Sequence, residues 1–250
     1  MELSLVDKNV LITGSSKGIG FEIARRFHEE GCNVIINGRD KYDLEKAQLK
    51  LKGSRALCLD FGNFKETKEK IKVIMENIKY LDILVCSIGN GVSVPPGKES
   101  YDEWQNVFSA NLWPTTNAIE NFKNYIKKDS GAITCISSIC GLEVINGAPI
   151  TYSVAKAALN AYVKGISRPL GKDGIRINAI APGNILFEGS TWQSKLEKNP
   201  DNVEKMLKDN VTLNAFGKPI DIANLVLYLS SPISNFITGS IFTLDGGQIH

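Results

Sequence analysis

Seven short apolar runs alternate with longer amphipathic stretches along almost the whole chain, and few folds accept that rhythm. The runs cover 10–13, 34–37, 56–59, 83–87, 132–137, 175–180 and 241–244, and most are bounded by Gly, Asp or Asn. Their near-continuous Ile and Val content suits strands covered on both faces. The stretches between them predict helices over roughly 18–30, 41–52, 64–79, 101–128, 152–170 and 221–230. Strands and helices in alternation close into a parallel sheet with right-handed crossovers. The expected class is therefore α/β: a doubly wound sandwich of seven parallel strands with helices on both faces, in one domain over 1–250.

Composition narrows the function more than the fold. With 250 residues, 43% of them hydrophobic, the chain carries enough apolar material for one sizeable core. Lys and Arg number 29 against 27 Asp and Glu, a net charge of +2 that leaves no general footprint for nucleic acid or an anionic membrane. No apolar run approaches the roughly 20 residues that cross a bilayer. The opening MELSLVDKNVLITG has no basic region leading into a signal core. Five cysteines without a CxxC pair and two histidines make neither a disulfide framework nor a zinc cluster. A reduced, cytoplasmic, metal-free enzyme is expected.

Two local features interrupt the rhythm. Ser100 and Glu103 fit a capping box at a helix start, and Pro114 then falls inside the same helical pattern. Pro114 cannot donate to the carbonyl of Ala110 and should distort the helix beside Asn111. The polar stretch from about 183 to 215 follows a strand's C-terminal end, where such sheets bind ligands. It reads as a flap over a site or as a solvated helical excursion.

The first strand runs straight into Thr13-Gly14-Ser15-Ser16-Lys17-Gly18-Ile19-Gly20 and a helix. Glycine in such a turn lets the backbone approach a pyrophosphate, and the helix N-terminus aims N–H groups and positive potential at it. A Rossmann-type dinucleotide site is expected there.

The spacing TGxxxGIG resembles that of the short-chain dehydrogenase/reductase family, and further motifs follow in that family's order. They are Asn111-Leu112-Trp113, Ile136-Ser137-Ser138, Tyr152 and Lys156 as YxxxK, Ile175-Arg176-Ile177-Asn178, Ala181-Pro182-Gly183, Phe236-Ile237-Thr238-Gly239 and Leu244-Asp245-Gly246-Gly247. The overall pattern is similar to that of 3-oxoacyl-carrier-protein reductases. The resemblance implies a catalytic set of Asn111, Ser138, Tyr152 and Lys156, with Ser137 a rival for the serine. It implies cofactor contacts from Gly14, Ser16, Lys17, Gly18, Ile19 and Gly20 in the turn, and from Asp60 and Phe61 after the third strand. Gly89, Tyr152, Lys156, Pro182, Gly183 and Ile185 complete that set. One departure stands out: Cys86-Ser87-Ile88-Gly89 replaces the usual Asn-Asn-Ala-Gly, which puts local hydrogen bonding in question.

Chemistry fills in the roles. Tyr152 and Lys156, four residues apart, share a helix face. An ammonium beside the phenol should lower its pKa from ~10 and make it a better proton donor to a developing alkoxide. The resemblance adds that Lys156 holds the nicotinamide ribose, Ser138 the substrate oxygen and Asn111 a relay water. After the second strand the chain reads Gly38-Arg39, with no carboxylate to repel a 2′-phosphate. With Lys17 nearby this favours NADP(H) and leaves NAD(H) possible; the bland reading pairs Arg39 with Asp40. Asp60 serves either the adenine or the strand end. The expected reaction is carbonyl–alcohol interconversion, on a 3-oxoacyl thioester or on a sugar, polyol or metabolite ketone. The mixed signs of Lys127-Lys128-Asp129 and Lys172-Asp173-Gly174 leave an acyl carrier protein partner uncertain. The resemblance further implies a homodimer or homotetramer through the helices near 101–128 and 152–170 and the segment 236–250. The alternative from another class is a cofactor-binding regulatory or scaffold protein.

Overall fold

The computed structural model describes residues 2–249; His250, at the end of the segment expected at an interface, lies outside them. Strands β1 (Asn9–Thr13), β2 (Asn33–Gly38), β3 (Arg55–Cys58), β4 (Ile83–Cys86), β5 (Ala132–Ile136), β6 (Arg176–Pro182) and β7 (Ile241–Leu244) form one sheet. All its pairings are parallel, in the order β3-β2-β1-β4-β5-β6-β7. Strand order reverses at the β1–β4 neighbours, so the crevice for a ligand opens at their C-terminal ends. The described residues hold nine α-helices: α1 (Gly18–Glu29), α2 (Lys41–Lys50), α3 (Phe64–Ile78), α4 (Tyr101–Asn111), α5 (Trp113–Phe122), α6 (Ile150–Lys172), α7 (Thr191–Lys198), α8 (Pro200–Asn210) and α9 (Pro219–Ser230).

The sheet divides the interior into two cores. Val10 and Ile12 of β1 face one with Ile23 and Phe27 of α1 and Val226 of α9. Leu11 faces the other with Phe122 of α5 and Leu159 and Val163 of α6. Side chains alternate along a strand, so a strand covered on both faces must be apolar at every position. That is why the runs carried no period.

The helix expected over 101–128 is two helices. Leu112 separates α4 from α5, and Pro114 sits in the first turn of α5, where a missing N–H leaves no bond unmade. The stretch 183–215 holds α7 and α8, with Ser190 capping the first and Asn199 the second. Its start is pinned by reciprocal backbone bonds, Leu186 N to Gly217 O and Gly217 N to Asn184 O. Trp192 packs on Phe216 with ring centroids 5.4 Å apart. The stretch is thus largely helical, with its start tied to the segment before α9. Among the described residues no helix is long and apolar enough to cross a membrane.

Candidate active site

The glycine turn is held from behind by one side chain that the sequence reading passed over. Asn37, buried at the end of β2, accepts from Gly14 N through Oδ1 and donates through Nδ2 to the carbonyls of Leu57 and Leu59. Gly14 and Gly18 have φ of 64° and 60°, the left-handed region that favours glycine. A Cβ on Gly20 would lie 2.3 Å from Gly14 O, so only glycine lets α1 start this close to the turn. No side chain caps the N-terminus of α1, which leaves its first N–H groups for an anion. The cradle fits a pyrophosphate. On its outer side the Phe187 ring lies against Gly18. The Cys86-Ser87 departure is accommodated locally, because Thr13 Oγ1 accepts from Ser87 N at 3.1 Å.

Farther along the cleft, Gly38 packs on Ser16, and a Cβ there would meet Ser16 Cβ at 3.2 Å. Asp40 does not pair with Arg39: its carboxylate caps α2 by accepting from Asp43 N at 2.8 Å. Arg39 is exposed and takes part in none of the ion pairs of the described residues. Lys17 is less free than expected, with Asp43 3.8 Å away. Asp60 accepts from Gly62 N at 2.8 Å, the turn-closing role that competed with an adenine contact. For Phe61 the structure narrows the expectation to the backbone. Its ring is wholly buried against Phe122, and only its backbone can face a cofactor. Ile185 is similar, with a buried side chain packed on Gly217.

The four candidate catalytic residues meet where the crevice opens. Lys156 is buried and donates from Nζ to the carbonyl of Ile136 at 3.0 Å. Lys156 Nζ and Asn111 Oδ1 each lie 3.0 Å from the point a Cβ on Gly89 would occupy. Asn111 ends α4 at the Leu112 break; its Oδ1 accepts from Asn90 N and its Nδ2 donates to Val107 O. Ser138 Oγ accepts from Cys140 N at 3.2 Å, and its hydroxyl works to lower the pKa of Tyr152. Ser137 is engaged elsewhere: it donates at 2.6 Å to buried Asn160, whose amide reaches Gly141 O. Gly141 lets this loop lie on α6, since a Cβ there would be 2.6 Å from the Lys156 backbone.

The electrostatics differ from the simple expectation. Tyr152 is half-buried, and burial pushes its pKa up to about 12 against the help of Ser138. Burial also lowers Lys156 to about 8. Desolvation is the leading cause of both shifts, and Nζ lies 5.9 Å from the centre of the Tyr152 ring. The phenol is therefore held protonated, as a donor. Cys140 stands beside the pair, with its thiol pushed up by burial. Cys86 and Cys135 are buried partners on β4 and β5.

The third wall is the end of β6. Pro182 is buried, and Gly183 N donates to Leu244 O at 3.0 Å, which ties this wall to β7. Arg176 at the start of β6 donates to the carbonyls of Leu229, Ser231 and Ile237. A charged residue and an Asn in an otherwise apolar strand were the available signal for this anchoring.

A family model described as enoyl-(acyl carrier protein) reductase matches residues 14–248. The chain is 31% identical to a 3-oxoacyl-[acyl-carrier-protein] reductase of Staphylococcus epidermidis over 249 residues, covering 97% of this chain and 99% of that one. It is 30% identical over 256 residues to glucose 1-dehydrogenase 2 of Bacillus subtilis, covering 99% and 97%. Its fold superposes on L-sorbose reductase of Gluconobacter frateurii, solved with NADPH and L-sorbose, with a TM-score of 0.91. That match has 27% identity and covers 99% of this chain and 98% of the other.

Proposed function

The chain belongs to the short-chain dehydrogenase/reductase family, and on that premise we propose that Tyr152 is the proton donor in an NADP(H)-dependent interconversion of a carbonyl and an alcohol. The observation that carries this reading is the meeting of Tyr152, Ser138, Lys156 and Asn111 beside the glycine cradle. The carbonyl oxygen sits between the Tyr152 and Ser138 hydroxyls, and the phenol transfers its proton as the alkoxide forms. Lys156 holds the ribose and neutralises the phenolate left behind, and Asn111 holds a water that returns the proton. When bound, the nicotinamide supplies or accepts the hydride.

Gly14, Ser16, Lys17, Gly18, Ile19 and Gly20 hold the pyrophosphate end, and Pro182, Gly183 and the Ile185 backbone border the nicotinamide. Arg39, free of Asp40, grips the 2′-phosphate, so NADPH is preferred to NADH. The solved L-sorbose reductase binds NADPH, in keeping with this. The substrate is a free carbonyl compound rather than one on an acyl carrier protein. Lys128 is paired with Asp173 at 2.8 Å and Lys127 is 3.8 Å from Asp82, so carboxylates match the cations at this edge.

The enzyme works in the cytoplasm as a homodimer or homotetramer. Tyr101, Trp113, Ile150 and Val154 expose apolar surface on α4, α5 and α6, and Phe236 is 99% exposed in the C-terminal segment. Light scattering at micromolar concentration should give a mass of two or four 27.4 kDa chains, and a monomer alone would refute this. The reaction is tested by a panel of sugars, polyols, ketones and 3-oxoacyl thioesters with NADPH and NADH in parallel. Turnover of a free ketone with NADPH supports the reading. NADPH binding without turnover of any member would favour a regulatory or scaffold role.

A further inference from the structure

The segment between β4 and α4 runs along the first turns of α6, with alternate residues touching it. Gly89 faces Lys156 Nζ, and the Cβ position of Gly91 lies 4.0 Å from Tyr152 Cζ. Ser93 meets Thr151, the neighbour of Tyr152, with 2.7 Å between their hydroxyl oxygens. The same Ser93 Oγ donates to Glu103 Oε1 at 2.7 Å. This wall of the reacting centre is thus fastened by three side chains in series.

Counting hydrogens fixes their direction. An ionised carboxylate only accepts, so the single hydrogen of Ser93 goes to Glu103. Thr151, wholly buried, must then donate its own hydrogen to Ser93. Glu103 is half-buried and takes part in none of the ion pairs of the described residues. Its placement is also diverted from the local motif. Ser100 Oγ accepts from Glu103 N as a capping box requires, but the Glu103 carboxylate turns to Ser93 instead of back to the Ser100 N–H. One orphan donor of α4 is left to solvent so that the carboxylate can reach the active-site wall.

We propose that Glu103 is a positioning residue: through Ser93 and Thr151 it holds residues 89–93 against α6 and so sets where the substrate carbonyl meets the Tyr152 hydroxyl. The inference rests on the reductase reading of the site. It acts on substrate placement rather than on the pyrophosphate cradle.

The test uses NADPH and the panel carbonyl that the parent turns over fastest. Ser93→Ala, Thr151→Val and Glu103→Leu break the series, whereas Ser93→Thr, Thr151→Ser and Glu103→Gln keep a hydrogen-bonding group at each position. A bond to a charged group carries enough for about a tenfold loss of kcat/KM for the carbonyl in the breaking variants, with NADPH Kd within about twofold of the parent. The conservative variants should stay within about threefold of the parent. Amide exchange of residues 90–94 should quicken in the breaking variants only. A lowered Tm with parental kcat/KM would overturn the proposal, as would Glu103→Gln falling as far as Glu103→Leu. If the parent turned over no carbonyl, the reductase reading would fail by itself; unchanged exchange at 90–94 would then separately overturn the clamp.

Discussion

Lys156 and Lys17 are cations bordering the same cleft, one at each end. Lys156 is 3% exposed and bonded at 3.0 Å to a backbone carbonyl, whereas the side chain of Lys17 is 81% exposed and meets Asp43 at 3.8 Å. The reacting centre takes its side chains out of water, and its ionisations shift by desolvation first. The adenosine end works at the surface, where water and salt screen every charge. Single groups at the buried end should therefore have large, specific effects. Those at the exposed end should have smaller effects that fade with salt.

The sharpest separation comes from Tyr152→Phe, which keeps the ring and removes the hydroxyl. Loss of a general acid should lower kcat by about 10²–10⁴-fold, with NADPH bound at near-parental affinity by fluorescence titration. More than about a tenth of parental kcat, with chemistry rate-limiting, would mean that another acid acts.

A smaller effect is expected at the exposed end. Arg39→Asp should lower kcat/KM with NADPH by about 10–100-fold at low salt and leave NADH within a few-fold. The NADPH penalty should shrink as ionic strength rises. A salt-independent penalty would break the contrast between the two ends.

A third effect is on stability. Lys156 titrates near 8 in the folded protein and at its ordinary 10.5 once unfolded. Between these values the unfolded chain binds more protons, so stability rises with pH across the window. The penalty is fully present below about pH 8 and gone above 10.5. Above pH 10 Tyr152, held up to about 12, works in the opposite sense, because the folded state then keeps its proton longer. Urea midpoints of the parent should gain on those of Lys156→Met between about pH 8 and about pH 10. A constant difference would mean that the ammonium is not desolvated.

The strands were legible because a sheet covered on both faces forces continuous apolarity, and the glycine turn because its chemistry is local. Tyr152 and Lys156 were legible for a related reason, since one helix sets their spacing. What stayed hidden depends on contacts distant in sequence. Asn37 looked like a strand end and buttresses the cradle. The Phe61 ring follows an Asp that looked like a cofactor contact, yet it belongs to the core. The balance between burial and attraction at Tyr152 needs distances that no spacing supplies. Ser100 and Glu103 looked like a complete capping box, and only the position of Ser93 reveals where the carboxylate goes.

The attachment of β7 to β6 also governs when the site can form. Asn178 bonds Ile237 and Ser240 across sequence separations of 59 and 62 residues, and Gly183 takes its anchor from Leu244. Contacts of that separation form late, because loop closure must be met before they add any stability. The turn from β1 to α1 can assemble from neighbouring residues early in folding. The wall at Pro182 and Gly183 must wait for a strand beyond two further helices and α9. During refolding, recovery of amide protection in β1 and β2 should therefore precede recovery of NADPH binding, with an interval in which the cradle exists and the cleft does not.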